Sequence, residues 1–455
     1  MRDWKHDLGL RAMKFLNVAL VTGCFAAVWY LYYAGTIEVS YYGRGHYAVI
    51  AMFAALYVLL ARNYDAFLIS YYPIYEVIYS QGLAVFIADA FMVLFMWLTA
   101  RRFPWLWPGI ITLVAQLGLI SLWAWAANRW YFHTFPPQES VVVYDVREGL
   151  DRLIDEYGFS RKFRVTASIS AEECLSDLSR LDGCKTVFLS GIHSHERNVI
   201  LKYCVDKDIR VMVIPRIGDV VMSGAKRMHM FYLPMLKVER QSGTPEYLII
   251  KRILDIVLSA LALVIVSPFM LITAIAIKAT DHGPVFYRQV RLTKDGKEFK
   301  ILKFRSMRVD AEKDGVARLS TGDNDDRITP VGKIIRAIRM DEIPQLWNIL
   351  MGDMSIVGPR PERPEIAAQY EQELPEFRLR LQVKAGLTGY AQVYGKYNTT
   401  PYDKLMMDLM YIAHPTIPQD LAIMFATVKI LFMKESTEGI EKGQTTAGGT
   451  GAKKQ

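Results

Sequence analysis

About the first 130 residues consist of long apolar runs separated by short polar segments. Four runs, at about 15–34, 46–61, 82–100 and 106–128, have lengths typical of membrane helices. The first, third and fourth are long enough to cross a hydrocarbon layer of about 30 Å, whereas the second is marginal. Tyrosine and tryptophan cluster at their ends, as they do where helices meet the membrane surface. The pattern predicts a four-helix transmembrane bundle over residues 1–135.

The charges beside these runs predict the orientation of the bundle. Basic residues precede the first run, at Arg2, Lys5, Arg11 and Lys14. Because positive charge stays on the cytoplasmic side, the N-terminus and the chain after the fourth span are predicted to be cytoplasmic. Arg101 and Arg102 count against this topology, since it places their loop on the other side. Asp89, inside the third run, is either a functional site or a polar residue that faces the bundle; we favour the second.

Residues 136–245 show short apolar runs that alternate with helix-like stretches. The runs cover 141–146, 163–169, 186–190 and 210–214, and the helix-like stretches cover 148–157, 171–181 and 195–206. This alternation predicts a parallel sheet flanked by helices. Asp145 to Gly149, at the end of the first run and just after it, stand where a dinucleotide-binding domain would carry G-x-G-x-x-G. We therefore predict a Rossmann-like α/β domain without an evident nucleotide site.

Histidine and cysteine patterns give no strong metal or disulfide prediction. His193 and His195 are close enough in GIHSHERN to be metal ligands, but a polar loop in which Ser194 caps a helix is the favoured interpretation. The chain has four cysteines that form no CxxC pair, Cys24, Cys174, Cys184 and Cys204. This spacing indicates reduced thiols in a cytoplasmic setting.

A fifth apolar stretch covers residues 251–278 and contains Ser267-Pro268 in its middle. Proline removes a backbone donor and clashes with the preceding turn, so we expect a kink there. A kinked crossing and a re-entrant helix–break–helix both fit the length. Positive charge lies at both ends, with Lys251 and Arg252 on one side and Lys278 on the other. Both ends are therefore predicted to be cytoplasmic, which favours the re-entrant form.

A strongly basic segment follows this stretch. Asp295-Gly296 lies between two β-rich runs and predicts a hairpin. Eight cations accompany only two acids, Asp295 and Glu298; the cations are Arg288, Arg291, Lys294, Lys297, Lys300, Lys303, Arg305 and Arg308. Surface lysines are ordinary on a hairpin, but this density beside a membrane element is typical of a surface that meets phosphates. Arg288, Lys303 and Arg305 are candidate phosphate ligands.

Two adjacent acids, Asp341 and Glu342, stand before Pro344 in RMDEIPQLWNILMGDMSIVGPRPER. Apolar residues at helical spacing after Pro344 predict a short helix, with both acids at its N-terminus. There the helix dipole should lower their pKa values. For the pair alone, a capping role for Asp341 is the simplest interpretation. Adjacent side chains diverge by about 100° on a helix, so the two acids need different partners.

Two turns beyond the acids present cations. Gly358-Pro359-Arg360-Pro361 is a rigid turn with one arginine, a residue that binds phosphate oxygens in a forked geometry. Residues 384–389, KAGLTG, form a second glycine-bearing turn that begins with a lysine. Arg360 and Lys384 therefore join the candidate phosphate ligands.

Four motifs in order, GPVFYRQVR, FKILKFRSM, DEIPQLWNILMGDMSIVGPRPE and KAGLTGYAQV, resemble the monotopic bacterial polyprenyl-phosphate phosphoglycosyl transferases. They cover about 250–411, and the N-terminal bundle and sheet domain resemble the larger members of that family. The resemblance implies an α+β catalytic domain over 246–440 with a re-entrant helix at 251–278. Residues 441–455 are of low complexity and are predicted to be a disordered tail. The segment 411–421, YIAHPTIPQDL, departs from the family pattern.

The resemblance also implies a reaction. A sugar-1-phosphate moves from a UDP-sugar to polyprenyl phosphate, usually undecaprenyl phosphate, with release of UMP and a requirement for magnesium. Asp341 matches the family's nucleophile, which forms a covalent phosphosugar intermediate, and Glu342 matches its metal-binding or acceptor-activating acid. Arg360 matches the family's Pro-Arg-Pro arginine, and Ser267-Pro268 its re-entrant break. The product starts an exopolysaccharide, capsule or O-antigen glycan.

The composition agrees with membrane and phosphate partners. The 455 residues are 52% hydrophobic and carry a net charge of +8. The positive excess favours membrane lipids and phosphates, while the apolar content argues against nucleic acid. We expect a multi-pass protein of the bacterial inner membrane with its active site on the cytoplasmic face.

Two other functions stay open beside this one. A membrane glycosyltransferase that passes the sugar alone would release a nucleoside diphosphate. A non-catalytic scaffold for polysaccharide assembly would have no need of an intact acid pair and Pro-Arg-Pro turn. The sugar, the role of the sheet domain and the oligomeric state are open, and a homo-oligomer is compatible with the sequence.

Overall fold

The computed structural model describes residues 4–35, 44–100, 102–241, 243–308, 327–395 and 399–431. The predicted tail at 441–455 and Arg101 lie outside the described residues. The chain divides into two compact units at Pro215 and Arg216. The first unit contains the N-terminal helices and the sheet, and the second contains the acid pair and the Pro-Arg-Pro turn.

The first unit begins with the helices that the apolar runs predicted. They are α1 (Trp4–Val28), α2 (Arg44–Asn63), α3 (Ile74–Ala100) and α4 (Leu106–Thr134). A π-helical turn, Trp29–Tyr33, extends α1. All four helices are long and apolar enough to cross a membrane. The prediction of four long apolar helices at the N-terminus is therefore confirmed.

A polar cluster fills part of the interior of this bundle. Asn17 of α1 donates through Nδ2 to Oε1 of Gln81 at 2.9 Å and accepts from the hydroxyl of Tyr57 at 2.7 Å. Buried side-chain amides need such partners, so the three residues fix α1, α2 and α3 relative to one another. Asp89 accepts a hydrogen bond from Gln116, which is fully buried in α4. This contact agrees with the bundle-facing interpretation of Asp89.

A four-stranded parallel sheet follows the bundle in the chain. Its elements are β1 (Gln138–Tyr144), α5 (Leu150–Glu156), β2 (Phe163–Ser170), α6 (Ala171–Ser176), β3 (Thr186–Ser190), α7 (Ser194–Asp206) and β4 (Arg210–Val213), with 3₁₀ turns at Phe159–Arg161 and Leu178–Leu181. The strand order is β2-β1-β3-β4. The predicted α/β domain with a parallel sheet is confirmed; its Rossmann-like character stays a prediction.

Alternation along β1 shows how this sheet is buried. Val142 packs with Ile154 of α5, whereas Val141 and Val143 pack with Ile200 of α7 on the opposite face. Because consecutive strand residues point to opposite faces, a continuous run of valines requires cover on both sides. Helices supply that cover.

The histidine loop differs in one detail from its interpretation. Helix α7 begins at Ser194, so the N-cap is His193, and no side chain caps the helix. The proposed cap at Ser194 is wrong by one residue, because the backbone of His193 is still extended, with ψ of 146°. Nε2 of His193 lies 3.6 Å from Oδ2 of Asp145. Within the described ranges, no three His, Cys, Asp or Glu side chains are grouped as a metal site.

The second unit contains the remaining elements. They are α8 (Ile217–Ser223), β5 (Lys226–Met230), β6 (Leu233–Lys237), α9 (Pro245–Asp281), β7 (Phe286–Leu292), β8 (Glu298–Phe304), α10 (Pro330–Ala337), α11 (Gln345–Met351), β9 (Ser355–Val357), α12 (Pro364–Glu373), β10 (Gly386–Thr388), α13 (Tyr390–Tyr394), α14 (Pro401–Ala413) and α15 (Ile417–Leu431). Three 3₁₀ segments, Lys294–Gly296, Met340–Glu342 and Pro375–Gln382, connect them. Strands β7 and β8 form the predicted antiparallel hairpin, with positive φ at Asp295 and Gly296.

Helix α9 is a single helix of 37 residues with Pro268 inside it. The helix continues through Ser267 and Pro268, so the break expected at these residues does not divide it into two helices. Both ends of α9 pack on the same part of the second unit. Arg252, near its beginning, donates to the carbonyls of Ile349 and Leu350 at the end of α11. Leu263, at its midpoint, packs with Leu346 of α11, and Ile277, near its end, packs with Ile335 of α10.

The atypical segment 411–421 anchors the beginning of α9. Asp420 is buried and accepts from Nζ of Lys251 at 2.8 Å and from the hydroxyl of Tyr247 at 2.9 Å. Its other oxygen accepts from Tyr411 at 2.8 Å. The charge on Asp420 is therefore compensated by Lys251 and by two hydroxyl donors, which ties α9 to α14 and α15.

Candidate active site

The acid pair lies in its own 3₁₀ turn, Met340–Glu342, between α10 and α11. Arg339, just before it, has a left-handed backbone with φ of 56°, which reverses the chain after α10. Helix α11 begins only at Gln345. Pro344 has no backbone N–H to donate to Met340, so α-helical bonding does not extend back to the acids. The sequence had predicted that the acids form the N-terminus of this helix. In the structure they precede the helix in a separate turn.

Glu342 is held by two cations. Its Oε1 accepts from Nζ of Lys303 at 2.8 Å and from Nη2 of Arg360 at 3.0 Å. Lys303 comes from β8 and Arg360 from the Pro-Arg-Pro turn, so the carboxylate joins two separate parts of the fold. Burial alone would raise the pKa of Glu342, but Lys303 and Arg360 hold it well below its usual range. Glu342 is thus ionised at neutral pH.

Asp341 differs from its neighbour in both contacts and charge. Among the described residues, no hydrogen bond or ion pair engages its carboxylate. Burial, and then the negative charge of Glu342, raise the pKa of Asp341 above the ordinary aspartate value. The expectation that the helix dipole lowers both pKa values is wrong for Asp341, whose pKa is raised. The pKa of Glu342 is lowered as expected, but Lys303 and Arg360 lower it rather than the helix dipole. Because neither cation binds its oxygens, the Asp341 carboxylate is available as a nucleophile once it is ionised.

The turn that carries Arg360 is built by close backbone packing. Gly386 donates from its backbone N–H to the carbonyl of Pro359 at 2.9 Å, and Gly358 donates to the carbonyl of Thr388 at 2.9 Å. A Cβ added at Gly386 would overlap the backbone of Gly358. Strands β9 and β10 can therefore lie side by side only because these positions lack side chains. The KAGLTG motif supports the Pro-Arg-Pro turn.

The other predicted cations are Lys384, Arg288 and Arg305, of which Lys384 and Arg288 lie away from the acid pair. Nζ of Lys384 donates to the carbonyl of Gly352 at 2.7 Å, beyond the C-terminal end of α11, whereas the acids precede that helix. Arg252 donates to two carbonyls at the same end. Arg288 is exposed on β7 and pairs across the hairpin with Leu302, so it lies on the face opposite to Lys303. The buried guanidinium of Arg305 packs against Gly283.

The acid pair fits a magnesium ion of the usual enzymatic kind. Magnesium in phosphate-transfer sites is held by one or two carboxylates and keeps several waters and substrate oxygens. Asp341 and Glu342 are adjacent, and Oε1 alone of Glu342 is used by Lys303 and Arg360. Burial and, after it, the negative charge of Glu342 raise the pKa of Asp341, and a cation beside the pair would stabilise both carboxylates in their ionised form.

One structural residue of the site was missed from the sequence. Asn348 of α11 is buried and accepts from the backbone N–H of Leu302 at 2.9 Å, while its Nδ2 donates to the carbonyl of Lys300 at 2.9 Å. These bonds fix α11 against β8, the strand that carries Lys303. The available signal was a polar residue between apolar neighbours on the buried face of a short helix.

Comparison with known proteins locates this part of the chain in a family. Residues 246–434 match the family described as bacterial sugar transferase. A UDP-N-acetylgalactosamine-undecaprenyl-phosphate N-acetylgalactosaminephosphotransferase of Aeromonas hydrophila is 37% identical over 238 residues, 51% of this chain and 54% of that protein. A UDP-glucose:undecaprenyl-phosphate glucose-1-phosphate transferase of Klebsiella pneumoniae is 42% identical over 194 residues, 42% of this chain and 41% of that protein.

A third relative is shorter and is covered almost completely. An exopolysaccharide production protein of Rhizobium leguminosarum bv. phaseoli is 40% identical over 190 residues, which are 40% of this chain and 94% of that protein. The chain thus spans about half the length or less of the Aeromonas and Klebsiella relatives and nearly all of the Rhizobium one. The family match, residues 246–434, contains the acid pair, the basic hairpin and the Pro-Arg-Pro turn. By these matches the chain belongs to the bacterial sugar transferase family, the polyprenyl-phosphate phosphoglycosyl transferases that its motifs resemble.

Proposed function

We propose that this protein transfers a sugar-1-phosphate from a UDP-sugar to undecaprenyl phosphate, releases UMP, and so starts an exopolysaccharide, capsule or O-antigen glycan. The names of the Aeromonas and Klebsiella relatives support the substrate classes. The observation that carries the proposal is the contrast within the acid pair. Glu342 is held by Lys303 and Arg360, whereas Asp341, beside it, has the raised pKa of a basic carboxylate.

The two acids divide the chemistry between them. A carboxylate oxygen of Asp341 attacks the phosphorus that bears the sugar, and the bond from that phosphorus to the bridging oxygen breaks. UMP leaves with the electron pair, and the phosphosugar is bound to Asp341 as an acyl phosphate. An oxygen of undecaprenyl phosphate then attacks the same phosphorus, and the carboxylate of Asp341 is released.

The surrounding cations offset the repulsion between the nucleophile and the diphosphate. Nη2 of Arg360 donates to Glu342, and the remaining N–H groups of this guanidinium would bind a phosphate oxygen of the substrate. A magnesium ion bound to Glu342, with Asp341 beside it, would neutralise charge on the diphosphate. Lys303 keeps Glu342 ionised and fixed in place for that role.

Nucleotide release tests the reaction. We expect the purified full-length protein, supplied with undecaprenyl phosphate and a panel of UDP-sugars, to release UMP with at least one of them. Excess EDTA should abolish the release and added magnesium should restore it. UDP as the nucleotide product would indicate transfer of the sugar alone, and no release with any UDP-sugar would favour the scaffold. Undiminished UMP release in EDTA would remove magnesium from the mechanism.

We also propose that α9 enters the inner membrane from the cytoplasmic face and returns to it. A straight helix of 37 residues is about 55 Å long, enough to cross the bilayer. Yet Leu263 and Ile277, on either side of Pro268, both pack on elements beside the acid pair. Between them most exposed side chains are apolar, including Val264, Ile265 and Phe269, and the exposed Ser267 donates its hydroxyl to the carbonyl of Val264. Bending at Pro268 lets this middle part enter lipid while both ends stay with the same cytoplasmic unit.

Accessibility of the two ends of α9 distinguishes a return from a crossing. In a cysteine-free background, Glu246→Cys changes an exposed position in the first turn of α9, and Lys297→Cys changes an exposed position after its end. An impermeant thiol reagent should label neither site in intact spheroplasts and both after permeabilisation. Phe103→Cys, in the exposed loop between α3 and α4, is the positive control and should label without permeabilisation. Labelling at 297 but not at 246 in intact spheroplasts would show a true crossing.

A further inference from the structure

A buried arginine lies behind the Pro-Arg-Pro turn. The side chain of Arg380 is 3% exposed, and its Nε and Nη2 bind Oδ2 of Asp408 at 2.9 and 2.7 Å. Its Nη1 donates to Oε1 of Glu362 at 3.3 Å. Burial alone would raise the pKa of Glu362, but Lys404, Arg380 and other cations hold this pKa at about 2. Arg380 is therefore a charged residue with charged partners, fixed in one position.

Arg380 also contacts the backbone of the active-site arginine. Its Nη2 donates to the carbonyl of Arg360 at 3.0 Å. The side chain of Arg360 extends from that backbone to Glu342 and is 42% exposed. One arginine thus holds the main chain of the other, and the exposed guanidinium faces the acid pair.

Each of the four carbonyls from Pro359 to Glu362 accepts a hydrogen bond. Pro359 accepts from the N–H of Gly386 at 2.9 Å, and Glu362 accepts from the N–H of Leu292 at 3.0 Å. Pro361 accepts from Nη1 of Arg291 at 3.1 Å, and Arg380 supplies the bond to Arg360. A surface turn does not need its carbonyls fixed in this way, since water satisfies them. These four hydrogen bonds fix the backbone from which the side chain of Arg360 extends.

We propose that Arg380 is a positioning residue: it fixes the backbone of Arg360 so that the Arg360 guanidinium meets Glu342 beside the nucleophile. The proposal rests on the proposed phosphosugar transfer. Stability alone is a weak reason to bury this charge, because well-packed apolar side chains serve as well or better. Only arginine offers a planar fork that reaches Asp408, Glu362 and a carbonyl together; lysine is a point donor. Misplacing a substrate-binding group by about 1 Å can reduce the rate by about 100-fold.

The test is a double-mutant cycle on the full-length protein. We expect Arg380→Lys to lower kcat/KM for UMP release by about 10–100-fold. In an Arg360→Ala background the same change should have an effect of less than about twofold, because Arg380 acts through Arg360. Equal effects of Arg380→Lys in both backgrounds would reduce Arg380 to a structural role, and wild-type kcat/KM in folded Arg380→Lys would overturn the proposal.

Two controls and a second readout complete the test. Asp420→Asn alters another largely buried ionic cluster, at the beginning of α9, and its effect should be multiplicative with that of Arg360→Ala. Asp408→Asn replaces Arg380→Lys if the lysine variant fails to fold, with the same non-additivity expected. Amide hydrogen exchange of the peptide spanning 357–364 should be faster in either variant. Unchanged exchange in both variants would overturn the positioning role of Arg380, whether or not the wild type releases UMP. Absence of UMP release from the wild type would by itself contradict only the proposed reaction.

Discussion

Asp341→Asn is expected to abolish turnover and to remove a covalent adduct that the wild type forms. Asparagine keeps the size of the side chain and removes its nucleophilic oxygen, so the chemical path is lost while the fold is kept. The wild type, mixed with a UDP-sugar and magnesium but no undecaprenyl phosphate, should release one equivalent of UMP or less. It should gain the mass of one phosphosugar on the peptide that contains Asp341.

The two acids can be separated in the same experiment. Glu342→Gln removes a metal ligand or acceptor activator and leaves Lys303 and Arg360 without their common partner. Asp341 is intact in this variant, so slow formation of the adduct is expected. Intact mass and peptide mapping measure both variants beside the wild type. An adduct on Glu342, or one that persists in Asp341→Asn, would reverse the assignment.

Absence of an adduct has its own meaning. Rapid turnover of the wild type once undecaprenyl phosphate is added, with no adduct before it, would indicate direct displacement in a ternary complex. Both acids would then be metal or base residues. The contacts favour the covalent path, because Lys303 and Arg360 engage Glu342, whereas no hydrogen bond or ion pair among the described residues engages the carboxylate of Asp341.

Elements whose pattern is local were predictable from the sequence. The valine-rich run of β1 and the apolar helices α3 and α4 are continuous apolar segments. The length and pattern of each were therefore sufficient to predict it as a strand or a helix. The β7–β8 hairpin was predictable because Asp295 and Gly296 take the positive φ values that its turn requires. The β5–β6 hairpin was missed, since Phe231 and Tyr232 at its turn are bulky residues with positive φ.

Features that depend on distant residues were not predictable in this way. Arg380 and Asp408 are 28 positions apart, and neither position has a local pattern that points to the other. The direction of the pKa shift at Asp341 depends on burial and on Glu342 more than on a helix end. Lys384 resembles a phosphate ligand in its glycine-bearing motif, but the glycines serve backbone packing and the lysine binds a carbonyl.

Arg360→Ala is expected to lower turnover by about 10²–10³-fold, the usual effect of removing one preorganised donor from a developing charge. Arg360 meets Glu342 at 3.0 Å and is 42% exposed, so it can bind the acid and a phosphate together. Arg360→Lys should recover part of the loss, because lysine keeps the charge but has no fork. UMP release under saturating UDP-sugar measures both variants.

The matched control is Arg378→Ala, which removes an exposed arginine on the 3₁₀ segment before Arg380. It should leave turnover within about twofold, since exposed surface substitutions have small effects. Near-normal turnover of Arg360→Ala would remove this arginine from the site and leave Lys303 as the cation that faces Glu342. A loss equal to that of Arg360→Ala in the control would show sensitivity to net positive charge rather than to one donor. A large loss in Arg360→Ala alone, with partial recovery in the lysine variant, would place the guanidinium on the transferred phosphate, because only a directed contact distinguishes these three substitutions.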